Sequence, residues 1–204
     1  MGPRELIVRE AELEYRVAMH GDTIRVTPDN SDNVPRVAVA RHAKGYEMLF
    51  REGLPDEEKS AFLKCGPERL FSLSDDEISR LGADSASDYR VVDCRWYCIP
   101  RFPETTEFPD VVQRDGRFVI ERDGQEVAEA WSCETGSRAA EVEVKTLEVY
   151  RRRGYARQVV AAWAYATRRE GKIAYYSHLT SNAASRALVA NLGGVWFSDM
   201  REYF

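Results

Sequence analysis

Residues 146–160, TLEVYRRRGYARQVV, constrain this chain more than any other stretch: a strand runs into three consecutive arginines and a glycine, then straight into a helix. The first backbone N–H groups of a helix have no partner within it, and the helix dipole adds positive potential at the same end. An anion held at residues 152–156 gains several charge-assisted bonds there, with Gly154 for close backbone approach and Ala156 for a small next turn. The competing reading is a solvated charged turn with a flexible glycine joint. The setting weighs against it, because phosphate-cradling loops need a strand before and an amphipathic helix after. A dinucleotide fold fits poorly, since GxGxxG is absent and the upstream strands read as hairpin-connected.

The rest of the chain makes that cluster local. With 204 residues, 44% hydrophobic and 31% charged, it is expected to fold along most of its length, and a net charge of −5 argues against a general nucleic-acid or anionic-membrane binder. The N-terminus has no signal-peptide run and no stretch approaches a membrane span, so a cytoplasmic protein is expected. Cys65, Cys94, Cys98 and Cys133 form no CxxC pair, and only His20, His42 and His178 could join them, so no metal site is expected and buried free thiols are the better reading.

Residues 1–85 read as a mixed α/β region, mostly helical, and residues 86–204 as a second domain. In the first, 27–35 reads as a loop, 38–50 and 56–63 carry apolar residues at helical spacing, and Ser74 with Glu77 makes a capping-box start for a short helix ending near Leu81 and Gly82. In the second, 89–99 is a strand that stops at Pro100 and is followed by a loop through 101–110. Residues 117–121 and 126–133 flank the Asp123-Gly124 turn, and with 140–146 they should form an antiparallel meander. A helix at 155–169 is closed by Gly171, and a strand at 172–177, a helix at 182–191 and a strand at 195–204 follow. The last could act as a free edge that pairs two copies into a homodimer.

The hexapeptide Arg151-Arg152-Arg153-Gly154-Tyr155-Ala156 resembles the signature of the GNAT superfamily of N-acetyltransferases: Gln or Arg, two residues, Gly, one residue, then Gly or Ala. The likeness extends to YYSHLTSNAASRALVANLGG, with an Asn opening a helix that ends in Leu-Gly, and covers about the C-terminal half of the chain. It implies an α/β (α+β) fold, a mostly antiparallel mixed sheet with helices on both faces that splays after its fourth strand. The pantetheine arm of acetyl-CoA would lie in that splay, held by backbone near Val144, Lys145 and Thr146, with its pyrophosphate on Arg151, Arg152, Arg153, Gly154, Tyr155 and Ala156. Asn182 and Ser185 have two readings of equal weight, helix capping and cofactor contact.

Acetyl transfer needs an amine that has lost its proton and a route to protonate the departing thiolate. Glu141 and Glu143 are the candidate bases, against the plainer reading that 141, 143 and 145 are the solvent face of a half-exposed strand. Val189 stands where many relatives carry a proton-donating tyrosine, which leaves Tyr175, Tyr176, Ser177, His178 or solvent for that role. The activity implied is direct acetyl transfer to a primary amine, on a small molecule or a protein. The rival is a non-catalytic acyl-CoA-binding or sensing module. The usual two helices between the family's first and second strands are missing between residues 99 and 117, so the N-terminal region supplies them or forms a layer of its own.

Overall fold

The computed structural model describes residues 1–14, 19–25, 34–81, 89–100 and 108–204. The chain divides into two compact units, Met1–Arg95 with Phe197–Phe204, and Trp96–Trp196. The first holds α1 (Pro3–Glu14), β1 (Met19–His20), β2 (Thr23–Ile24), β3 (Val37–His42), β4 (Gly45–Arg51), α2 (Asp56–Cys65), α3 (Pro67–Leu70) and α4 (Asp75–Leu81). β5 (Val91–Cys98) runs from the first unit into the second, which continues with β6 (Val112–Arg114), β7 (Arg117–Arg122), β8 (Gln125–Thr135), β9 (Ala139–Thr146), α5 (Tyr155–Arg169), β10 (Ile173–Leu179) and α6 (Ala183–Asn191). β11 (Val195–Tyr203) returns to the first unit.

In the first unit residues 38–50, expected to be helical, form an antiparallel hairpin of β3 and β4 with Val37 opposite Phe50. Val37, Ala38, Val39 and Ala40 are all buried, and a run buried on both faces carries no period that separates strand from helix. Gly45, at φ 135, allows the turn that a helix could not make. The short helix is capped as expected, Ser74 donating both its N–H and its hydroxyl to Glu77 Oε2 at 3.0 and 2.9 Å. The segment at 27–33 and Gly82 lie outside the described residues.

The C-terminal strand is not the free edge its sequence suggests. β11 pairs antiparallel with β3 from Asp199↔Arg41 to Tyr203↔Val37, and Phe204 N–H donates to the Arg90 carbonyl at 3.0 Å on its other side. Its partners come from upstream in the chain, and local sequence does not announce them. Phe62 and Tyr203 meet edge to face at 5.1 Å in the core here.

The second unit builds its sheet as the meander expected, β7 and β8 antiparallel, β8 and β9 antiparallel, with the short β6 added outside β7. β5 lies next to β10, where the Ile99 N–H donates to the Ala174 carbonyl at 2.9 Å. α5 buries Val159, Val160 and Trp163 against Phe118, Ile120, Ala130, Ala140 and Val142, and the Trp163 indole N–H donates to Ser132 Oγ at 2.9 Å. α6 adds Val189, and its C-cap Leu192, to the same core. Of the strand pairs described, β2–β4 and β9–β10 are parallel, and β1–β2, β3–β4, β3–β11, β6–β7, β7–β8 and β8–β9 are antiparallel.

The turn after α6 is closely packed. A Cβ built on Gly194 would lie 2.4 Å from Val189 Cγ2 and 3.1 Å from the Val189 carbonyl oxygen. Gly194→Ala is therefore expected to destabilise the fold by about 1–3 kcal/mol, read as a lower denaturant midpoint with an unchanged slope.

Candidate functional site

Two strands part at the centre of the second unit. β9 and β10 pair in parallel over three positions only, Ile173↔Ala139, Ala174↔Ala140 and Tyr175↔Glu141, although β9 runs on to Thr146 and β10 to Leu179. Beyond that point β9 is paired through its other edge alone, as far as Thr146 opposite Ala128. Val144, Lys145 and Thr146 thus lie on an arm with one edge open to a ligand, as the splay expected from the sequence requires. Thr146 Oγ1 is enclosed with no hydrogen-bond partner among the described residues.

β9 leads through a 3-10 turn, Glu148–Tyr150, into the arginine cluster. Arg152 at φ 63 and Gly154 at φ 81 are both left-handed and fold the turn back on itself before α5 begins. No side chain caps α5, so its first N–H groups remain available, and Arg151, Arg152 and Arg153 are exposed without an ion pair to a described residue. A Cβ on Gly154 would meet nothing within 4 Å. The glycine is needed here for its backbone angle; close approach of a neighbour in the structure itself does not demand it. Beside the turn the Arg122 guanidinium lies over the Tyr155 ring at 5.1 Å and that of Arg153 over Tyr150 at 5.2 Å. Arg122 was not legible as part of this site, since it sits on a hairpin some thirty residues upstream.

Glu141 lies where the strands part, and it is buried at 6% exposure. The Ser177 hydroxyl donates to its Oε1 at 2.5 Å. Burial holds this carboxyl above the usual carboxylate range, Glu134 pushes the same way, and the Ser177 bonds oppose them. The reading of 141 as solvent face is therefore wrong for Glu141 and right for Glu143, whose side chain is 49% exposed with Lys145 Nζ at 3.9 Å. A bulge in β8 between Ser132 and Glu134 brings Cys133 alongside, its thiol donating to the Glu141 carbonyl at 3.5 Å. Burial and three nearby carboxylates push that thiol up to about 12, so it offers no thiolate nucleophile near neutral pH.

The remaining candidates divide. His178 is buried, stacked on Tyr97 at 5.5 Å, and its Nδ1 lies 2.8 Å from the Leu179 carbonyl. A carbonyl only accepts, so Nδ1 is the donor in this contact, and Nε2 is enclosed with no hydrogen-bond partner among the described residues. Strand alternation sends His178 to the opposite face from Ser177 and Glu141. Asn182 Oδ1 accepts the Ser185 N–H at 3.0 Å, which makes it the N-cap of α6, and Ser185 also bonds the Tyr176 phenol. Val189 is core, packed against Gly194. A cleft of about 560 Å³, walled by Trp131, Trp163 and Ala166 and reached by Lys145, opens toward the other end of α5 from the arginine turn.

A parallel pair that splays, with one arm running into an uncapped helix N-terminus, places the second unit among acetyltransferase-type α/β folds. An acetyltransferase from the GNAT family of Colwellia psychrerythraea shares the fold at a TM-score of 0.52, with 11% identity over 77% of this chain and 75% of that one. A structure from Novosphingobium aromaticivorans assigned to the same family aligns over 56% of this chain at 17% identity and a TM-score of 0.49, and the chain spans 64% of its length. A GCN5-related N-acetyltransferase-like protein from Streptococcus suis aligns over 86% of both chains at 17% identity and a TM-score of 0.45. No curated protein matches in sequence. The sequence model of the GNAT acetyltransferase family matches residues 109–203, just under half of the chain.

Proposed function

We propose that the chain transfers an acetyl group from acetyl-CoA to a primary amine by direct attack, with residues 86–204 as the transferase domain and Glu141 as the base. The observation that carries this reading is a buried carboxylate at the point where β9 and β10 part, within reach of an open strand edge. The residues present suit the cofactor: the uncapped amides of 154–156 and the arginines 151–153 for its pyrophosphate, and the open edge of Val144, Lys145 and Thr146 for its arm. Bound there, acetyl-CoA supplies a thioester ready for acyl transfer.

The chain's own part is to orient the amine and take its proton. Glu141, raised by burial, is a better proton acceptor near neutral pH than an ordinary carboxylate, and Glu134 beside it favours an amine that arrives protonated. The thiol of Cys133 is held neutral, which supports attack without an acyl-enzyme. With Val189 in the core and His178 buried on the opposite face of β10 from Glu141, solvent is the proposed proton source for the thiolate. Four free cysteines support a reducing compartment such as the cytoplasm, and no helix among the described residues is long and apolar enough to cross a membrane.

The absence of a phenol at 189 favours one rival, an acyl-CoA-binding or sensing module without turnover. Calorimetric titration with acetyl-CoA and thiol release across a panel of primary amines separate the two. Micromolar binding with amine-dependent thiol release is expected; binding without release on any amine favours the sensor, and no binding overturns both.

A further inference from the structure

We propose that Ser177 is a positioning residue: its hydroxyl, reaching from β10, holds the Glu141 carboxylate of β9 in place where the two strands separate. The inference rests on Glu141 being the base. Backbone pairing between these strands ends at Tyr175↔Glu141, and Ser177 lies two residues further along β10, on the same face by strand alternation. Its hydroxyl meets Glu141 Oε1 at 2.5 Å, and its backbone N–H also bonds the carboxylate. One residue thus supplies two donors just where the ladder supplies no more.

The surroundings leave that task to Ser177. The titratable groups around the carboxylate are Glu134 and Cys133 from β8, Glu143 two residues along β9, and Tyr175 opposite it on β10, and each is acidic or neutral. A buried carboxylate beside Glu134 would otherwise turn away or hold its proton, and either would remove it as a base. Held by these donors, the carboxylate is kept at the point where the strands part, where an incoming amine would meet it.

Removing the hydroxyl removes a donor to the charged form, so the carboxyl of Ser177→Ala should hold its proton to higher pH than that of the native chain. Ser177→Thr keeps the donor and suits a strand. Protein labelled with carbon-13 at its glutamate carboxyls is titrated by NMR, the Glu141 signal being the one lost in Glu141→Gln. The expected result is a midpoint displaced upward in Ser177→Ala and returned in Ser177→Thr. On any amine that is turned over, kcat/KM of Ser177→Ala should fall by about tenfold on the acid side of the profile, with the KM for acetyl-CoA unchanged. An unshifted midpoint in folded Ser177→Ala, with Glu141→Gln inactive, overturns the role of Ser177 alone. Full activity of Glu141→Gln overturns the reading of Glu141 as base and this inference with it.

Discussion

Glu141→Gln is expected to lower kcat by about 10²–10⁴-fold while changing affinity for acetyl-CoA by less than about threefold. The amide keeps the shape and can still accept the Ser177 hydroxyl bond made at 2.5 Å, so packing between β9 and β10 is preserved. It cannot take a proton. The substitution also removes a buried charge, so the fold should lose little stability at neutral pH, and a normal denaturant midpoint in the variant separates lost chemistry from lost structure. Glu143→Gln is the control: that carboxylate is exposed, with Lys145 its ion-pair partner among the described residues, and its loss should leave kcat within about twofold. A residual rate near that of the native chain in Glu141→Gln would remove the base from this site.

How much of this was legible in sequence depends on how local each feature is. Residues 155–169 announced α5 to the residue, because an apolar stripe at helical spacing, a glycine before and a glycine after are all encoded within one stretch. The meander was equally plain, since Asp123-Gly124 fixes its first turn. Residues 38–50 failed because a strand buried on both faces shows no alternation. β11 was misread as an edge because its neighbours lie more than a hundred residues upstream.

The same distinction runs through the site. The arginine turn is contiguous and could be read, whereas the pairing of Glu141 with Ser177 depends on how far β9 and β10 stay together, which no local pattern states. Glu141 and Glu143 looked alike in sequence and differ because the β8 bulge and the pairing with β10 bury one and leave the other in water. His178 was selected for its residue type, and its ring is committed to a carbonyl and an aromatic stack on the other face of the strand.

Gly154→Glu should weaken acetyl-CoA binding by at least about 100-fold, and the companion Gly154→Ala identifies the cause. At φ 81 any side chain is strained, and for alanine that strain costs about 1–2 kcal/mol of stability. Its Cβ meets nothing, however, and the amides at the start of α5 keep their direction, so Gly154→Ala should lose stability while its affinity falls by less than about tenfold. Asn tolerates the left-handed region, and Gly154→Asn should recover part of the stability. Glutamate adds to the same strain a carboxylate at the mouth of the proposed anion site, where like charges cost several kcal/mol, each 1.4 kcal/mol being about tenfold in affinity. The effect should shrink as salt rises, since the turn is exposed and screened. Equal affinity in Gly154→Ala and Gly154→Glu would mean that strain alone acts at this position, and that the pyrophosphate is held elsewhere.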